Sequence, residues 1–129
     1  MVELLVCIDV EDLERGIEFY ARGFGLALGP RRGAGWVELS GARVPVMLIA
    51  NPAGSRPSAA IAAIRHYGRH WTPVHLDFVV ADLTAAVARL RALGATHEGD
   101  IEVRAWNSIA YMADPWGNGF DLIQLPPSV

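Results

Sequence analysis

The stretch "LLVCIDVEDLERGIEFYARGF" near the N-terminus returns in altered residues as "HLDFVVADLTAAVARLRALGA" in the second half. Each copy opens with a period-2 alternation and then passes through an aspartate into helical spacing. In the first copy Val6, Ile8 and Val10 form one side of a strand, with Leu5, Cys7 and Asp9 on the other. Asp12 is placed to cap a helix carrying Leu13, Ile17, Tyr20 and Phe24, whose spacings of four, three and four make an apolar stripe. In the second copy Leu76, Phe78 and Val80 oppose His75, Asp77 and Val79, and Asp82 caps a helix striped by Leu83, Val87, Leu90 and Leu93. Gly94 stands where a left-handed C-cap belongs. Matching Asp12 to Asp82 sets an offset of 70 residues and puts Leu5 opposite His75. At the module ends "VMLIA" matches "FDLIQ", which puts Met47 opposite Asp121. Neither half can bury both its helix stripe and its sheet face alone, so the two modules share a core or pair across a dimer.

Each half reads as strand, helix, then several strands, an α+β chain. Gly23, Gly25 and "GPRRGAG" break the first pattern and open a turn-rich stretch. "WVELS" and "VPVMLIA" are strands, with Pro45 placing the second at an edge or a strand start. Residues 51–72 read as a linker, in which "SAAIAAIRHYG" is expected to form a short helix between Ser58 and Gly68. "IEVRAW", "SIAYMA" and "GFDLIQL" are strands, the last two joined by "DPWGN", whose proline, glycine and asparagine are turn residues. The division is module 1 over about 1–50, the linker over about 51–72 and module 2 over about 73–129, one domain in all.

Composition removes several function classes. The net charge of −3 supplies no basic field for nucleic acid. All 11 basic residues are arginine, and a chain without lysine has neither a Schiff-base amine nor a Walker-type phosphate lysine. The single cysteine excludes an internal disulfide and fits a reducing cytoplasm. No apolar run approaches a membrane span, and "MVELLVCIDVED" lacks the basic start of a secretion signal. A cytoplasmic protein is expected, without nucleic-acid or membrane partners. GxSxG, HExxH and CxxC motifs are absent.

The duplicated module closing in "DPWGNGFDLIQ", together with "HLDFVVADLTAAVARLRALGA", resembles the vicinal oxygen chelate superfamily of glyoxalase I, bleomycin-resistance proteins and extradiol dioxygenases. The resemblance spans nearly the whole chain and is weakest from about Pro30 to Pro57. It implies two tandem βαβββ modules whose mixed, curved sheets form cup-shaped clefts, and a homodimer in which each cup joins one module from each subunit. It also implies metal ligands on the first and last strands of each module, here Leu5, Met47, His75 and Asp121. Leu5 and Met47 cannot hold a hard or borderline divalent ion, so only His75 and Asp121 remain as metal ligands. Such catalytic sites take about three protein ligands. Iron, manganese, nickel or zinc is the implied cofactor. The two lost positions favour a pocket without it, unless a third ligand comes from elsewhere.

His75 is thus a metal ligand or a histidine hydrogen-bonded to Asp77 or Asp121. Asp77, beside it on the same face, is the candidate general base; the alternative is a solvated acid at a strand end. Asp9 is the corresponding acid of module 1. Cys7 shares that front face and is a ligand-facing residue or, better, a small buried filler. His66 and His70 have the i, i+4 spacing of a helical zinc pair, though Gly68 and Pro73 argue against a helix there. Tyr67 and Trp71 suit stacking on a flat ligand or pinning of the linker, Trp106 and Tyr111 are candidate ligand-binding aromatics, and His97 reads as an exposed loop residue. Two functions follow: a small-molecule-binding protein of the bleomycin-resistance type, or a metal-dependent lyase, isomerase or dioxygenase with Asp77 as base.

Overall fold

The computed structural model describes residues 1–127. The chain forms two compact units, Met1–Tyr67 and one beginning at Gly68. The stretch 51–72 therefore divides between them.

The first unit runs β1 (Val6–Val10), α1 (Leu13–Ile17), β2 (Ala27–Arg31), β3 (Trp36–Ser40) and β4 (Val46–Ala50). Its sheet has the order β1-β4-β3-β2, with β1 and β4 parallel and the other pairs antiparallel. The second runs β5 (Leu76–Val79), α2 (Leu83–Ala92), β6 (Thr96–His97), β7 (Glu102–Val103), β8 (Ser108–Ala113) and β9 (Gly119–Gln124). Its order is β5-β9-β8-β6, with β7 also on β8 and with β5 and β9 parallel. Both units are mixed βαβββ sheets; the second adds the short β7. Among the described residues no helix is long and apolar enough to cross a membrane.

The two caps form as their sequence requires. Asp12 accepts from Arg15 N at 3.1 Å and Asp82 from Ala85 N at 3.0 Å, each satisfying an amide that the first turn leaves open. On α2, Leu83, Val87 and Leu90 are buried, each contributing about 1.5–3 kcal/mol of apolar transfer. Gly94 closes the helix at φ 108°. Gln124 of β9 adds a tie, its Oε1 accepting from Leu83 N at 2.7 Å.

Several expectations need correction. The first helix passes into a π turn over Glu18–Arg22. The extra residue rotates the stripe, so Phe19 and Tyr20 are both fully buried while Ile17 and Phe24 are half-buried. The turn-rich stretch contains β2, an edge strand with an irregular register between Leu28 and Arg31, which is where Pro30 falls. No helix forms between Ser58 and Gly68. That loop is instead closed by Gly54 N→Arg65 O and Arg65 N→Ser55 O, while the Arg56 guanidinium takes the carbonyls of Ala59 and Ile61. Those bonds compete with helical ones, and the His66/His70 helical pair is lost with the helix. His97 lies half-buried in β6, opposite Met112, and is no exposed loop residue. Cys7 is exposed, so it is no buried filler.

Candidate functional site

Strand register assembles the site in the second unit. Parallel pairing of β5 and β9 puts Asp77 beside Asp121, and antiparallel pairing of β9 and β8 puts Tyr111 on the other side of Asp121. His75, two residues before Asp77, brings its Nδ1 to 3.2 Å from Asp77 Oδ1 and 3.4 Å from Asp121 Oδ2. One donor atom from each of the three lies within 4.8 Å of the others. The Asp121 side chain is 15% exposed, against 49% for Asp77 and 43% for His75. Burial, then the hydrogen bond and negative charge of Asp77, push the Asp121 carboxyl up to about 6; His75 and Arg104 pull it down less strongly. Asp121 thus holds a proton well above the usual carboxylate range, a setting in which a carboxylate can act as a weak base or take up a cation.

Segment 69–72 contributes Arg69, Trp71 and Thr72 to the wall of a cavity of about 400 Å³, whose lining is completed by His75, Glu98, Tyr111, Met112, Gly119, Phe120 and Asp121. The "DPWGN" turn holds that wall in place. Buried Asp114 accepts from Trp116 N, Asn118 N and Asn118 Nδ2 at 2.8–2.9 Å. Its hold on Nδ2 points Asn118 Oδ1 at His70 Nε2, 2.9 Å away, while His70 N donates to Gly117 O. At Gly117 a Cβ would collide with Gly68 O, and its φ of 79° also suits glycine. At Gly119 a Cβ would stand 2.7 Å from Arg69 Nη2, so the missing side chain lets the guanidinium lie against β9. Arg69 in turn forms a two-pronged pair with Glu98 at 2.7 and 2.9 Å and donates to His70 O. This holds the Glu98 carboxyl below its ordinary range and raises Arg69.

The sequence candidates divide accordingly. His75, Asp77, Asp121 and Tyr111 come together, and Trp71 lines the cavity. Trp106 sits in the turn between β7 and β8, 68% exposed and outside the lining. Cys7 lies in the first unit, paired in register with Met47. Asp9 is committed to Asn51 Nδ2 at 3.2 Å and Arg65 Nε at 2.8 Å. Tyr67 turns its hydroxyl to Asn51 O and Val10 O, and burial and Asp9 raise its pKa. Arg69 and Glu98 escaped sequence reasoning, since nothing local links residues 29 apart.

A divalent ion about 2.1 Å from each ligand sets neighbouring donors roughly 3.0–3.4 Å apart. The separations from His75 Nδ1 match that spacing, and one imidazole with two carboxylates suits iron, manganese or zinc. Asp77 would be the third donor to such an ion, beside His75 and Asp121. An Asp77 spent as ligand is unavailable as base. In the first unit Leu5 is half-exposed and Met47 buried, and neither offers a donor for such an ion.

Comparison with solved structures places the fold. The chain is similar to TnmS3, an antibiotic binding protein from Streptomyces sp. CB03234, at 24% identity and TM-score 0.66, covering 98% of this chain and 97% of that one. It is similar to the genomically encoded fosfomycin resistance protein FosX from Listeria monocytogenes, at 15% identity and TM-score 0.72, with 98% and 96% covered. It is also similar to lactoylglutathione lyase from Agrobacterium tumefaciens, at 20% identity and TM-score 0.65, with 95% and 92% covered. No curated protein matches it. The model of the glyoxalase-like domain matches residues 5–123, and with the duplicated βαβββ fold this assigns the chain to the glyoxalase-like family of the vicinal oxygen chelate superfamily.

Proposed function

We propose that the chain is a small-molecule-binding protein whose ligand enters the cavity of the second unit, without the family's complete four-residue metal set. The observation that carries this is the cavity itself: Trp71, Tyr111, Met112 and Phe120 supply apolar surface, and His75 and Asp121 the polar wall. The fold's likeness to an antibiotic binding protein supports a holding role. Pairing of two copies belongs to the same reading, and sedimentation showing only a 14.0 kDa species at micromolar concentration would remove it.

The grouping of His75, Asp77 and Asp121 favours a second reading, a metal-dependent lyase, isomerase or dioxygenase. A divalent ion held by those three would polarise oxygen atoms of a bound substrate. Elemental analysis of tag-free protein decides between the two. Less than about 0.1 ion per chain, with ligand binding retained after chelator treatment, supports the binder. Stoichiometric metal lost in both His75→Ala and Asp121→Ala would establish the chelating site instead.

A further inference from the structure

We infer that the cavity of the second unit selects a hydrophobic ligand bearing a positively charged nitrogen, an arylalkylamine or amidine, through the Asp121 carboxylate on its wall and the Asp77 carboxylate beside it. This deepens the binding role above and rests on it.

The argument is a pairing of charges. Arg69, Glu98 and Asp121 line the cavity, and Asp77 adjoins Asp121 while Glu102 and Arg104 adjoin Tyr111. Arg69 is engaged by both oxygens of Glu98 and by His70 O. Arg104 donates to Tyr111 Oη at 2.9 Å and stands 3.7 Å from Glu102, which also accepts from that hydroxyl. Each arginine thus has its own glutamate. What remains is Asp77 and Asp121, side by side across β5 and β9, with His75 Nδ1 at 3.2 and 3.4 Å from them. An anionic ligand would meet two carboxylates, and both arginines already have partners. A cationic nitrogen would relieve the repulsion between the two acids and gain charge-assisted hydrogen bonds in a partly desolvated setting. Trp71 and Tyr111 on the neighbouring walls give the ligand's apolar body a surface that also attracts cations.

Three probes with one ring system isolate the charge: 2-(1-naphthyl)ethylamine, naphthalene-1-ethanol and naphthalene-1-acetate, titrated calorimetrically into full-length, chelator-treated protein. The amine is expected to bind about tenfold more tightly than the alcohol, and the acetate more weakly still. In Asp121→Asn the ratio of amine to alcohol affinity should fall to about threefold or less. Asp77→Asn, at the more exposed acid, repeats the test with less risk to folding. Equal affinity for all three, a preference for the acetate, or a preference unchanged in both variants would overturn the charge assignment and leave the pocket reading standing. A Zn²⁺-loaded protein that takes the acetate over the amine would overturn it too, by making the resident cation a metal. No binding of any probe would bring down the pocket reading and this inference with it.

Discussion

Asp77, Asp121 and Tyr111 in the second unit occupy the same cross-strand row as Cys7, Met47 and Glu38 in the first. One backbone plan therefore carries two chemistries. In the second unit Tyr111 and Asp121 of that row line a cavity, and partial burial beside Asp77 raises the Asp121 carboxyl. In the first, the central position is a buried methionine, and the nearby acid Asp9 is neutralised by Arg65 and bonded to Asn51. Register decides which positions meet; side-chain identity decides whether meeting makes a site or a filled surface.

Exchange at the central position should break this comparison most visibly. Met47→Asp puts a carboxylate where the side chain is 3% exposed, and is expected to cost about 3 kcal/mol or more in chemical denaturation. The opposite change should help. Asp121 holds its proton up to about pH 6 when folded, against 3.8 for its ordinary value. Its contribution to stability is therefore full below about pH 4 and is lost as the pH rises through about 6. Asp121→Asn does not titrate, so it should be more stable than the parent by about 1–3 kcal/mol near pH 7.5, with the gap closing below about pH 4. A thermal unfolding series across that range measures it, and a gap independent of pH would refute the assignment.

Asp9→Asn sharpens the contrast with the opposite sign, since it removes a partly buried ion pair with Arg65. A loss of about 1 kcal/mol near neutrality is expected in urea unfolding. The smallest effects test where the two modules agree. Asp12→Ala and Asp82→Ala should each cost about 1 kcal/mol, because each removes one cap bond of nearly equal length. Unequal costs would show that the shorter α1, running into its π turn, depends less on its cap.

Much of this was legible in the residues. Alternation and caps gave both β–α starts, and matching "VMLIA" to "FDLIQ" at the module ends put Met47 opposite Asp121, which occupy equivalent places in the two sheets. What escaped was set by distant partners. Strand β2 forms because β3 offers it an edge, although its own "ALGPR" carries turn residues. The alanine-rich stretch after Ser58 has helical propensity, but arginine side chains claim its carbonyls. In the site, His75, Asp77 and Asp121 follow from strand parity. Arg69 and Glu98 do not, because their pairing joins residues 29 apart, one before β5 and one just after β6.

The hold of the "DPWGN" turn on segment 68–70 has a consequence for how such a protein changes its ligand. Asp114, Gly117 and Asn118 fix the path of a wall they do not themselves form. Replacing any of them would shift Arg69 and Trp71 while leaving every cavity-lining residue unchanged. The shape of the chamber is thus adjustable from outside it, by a hinge-pin of five residues.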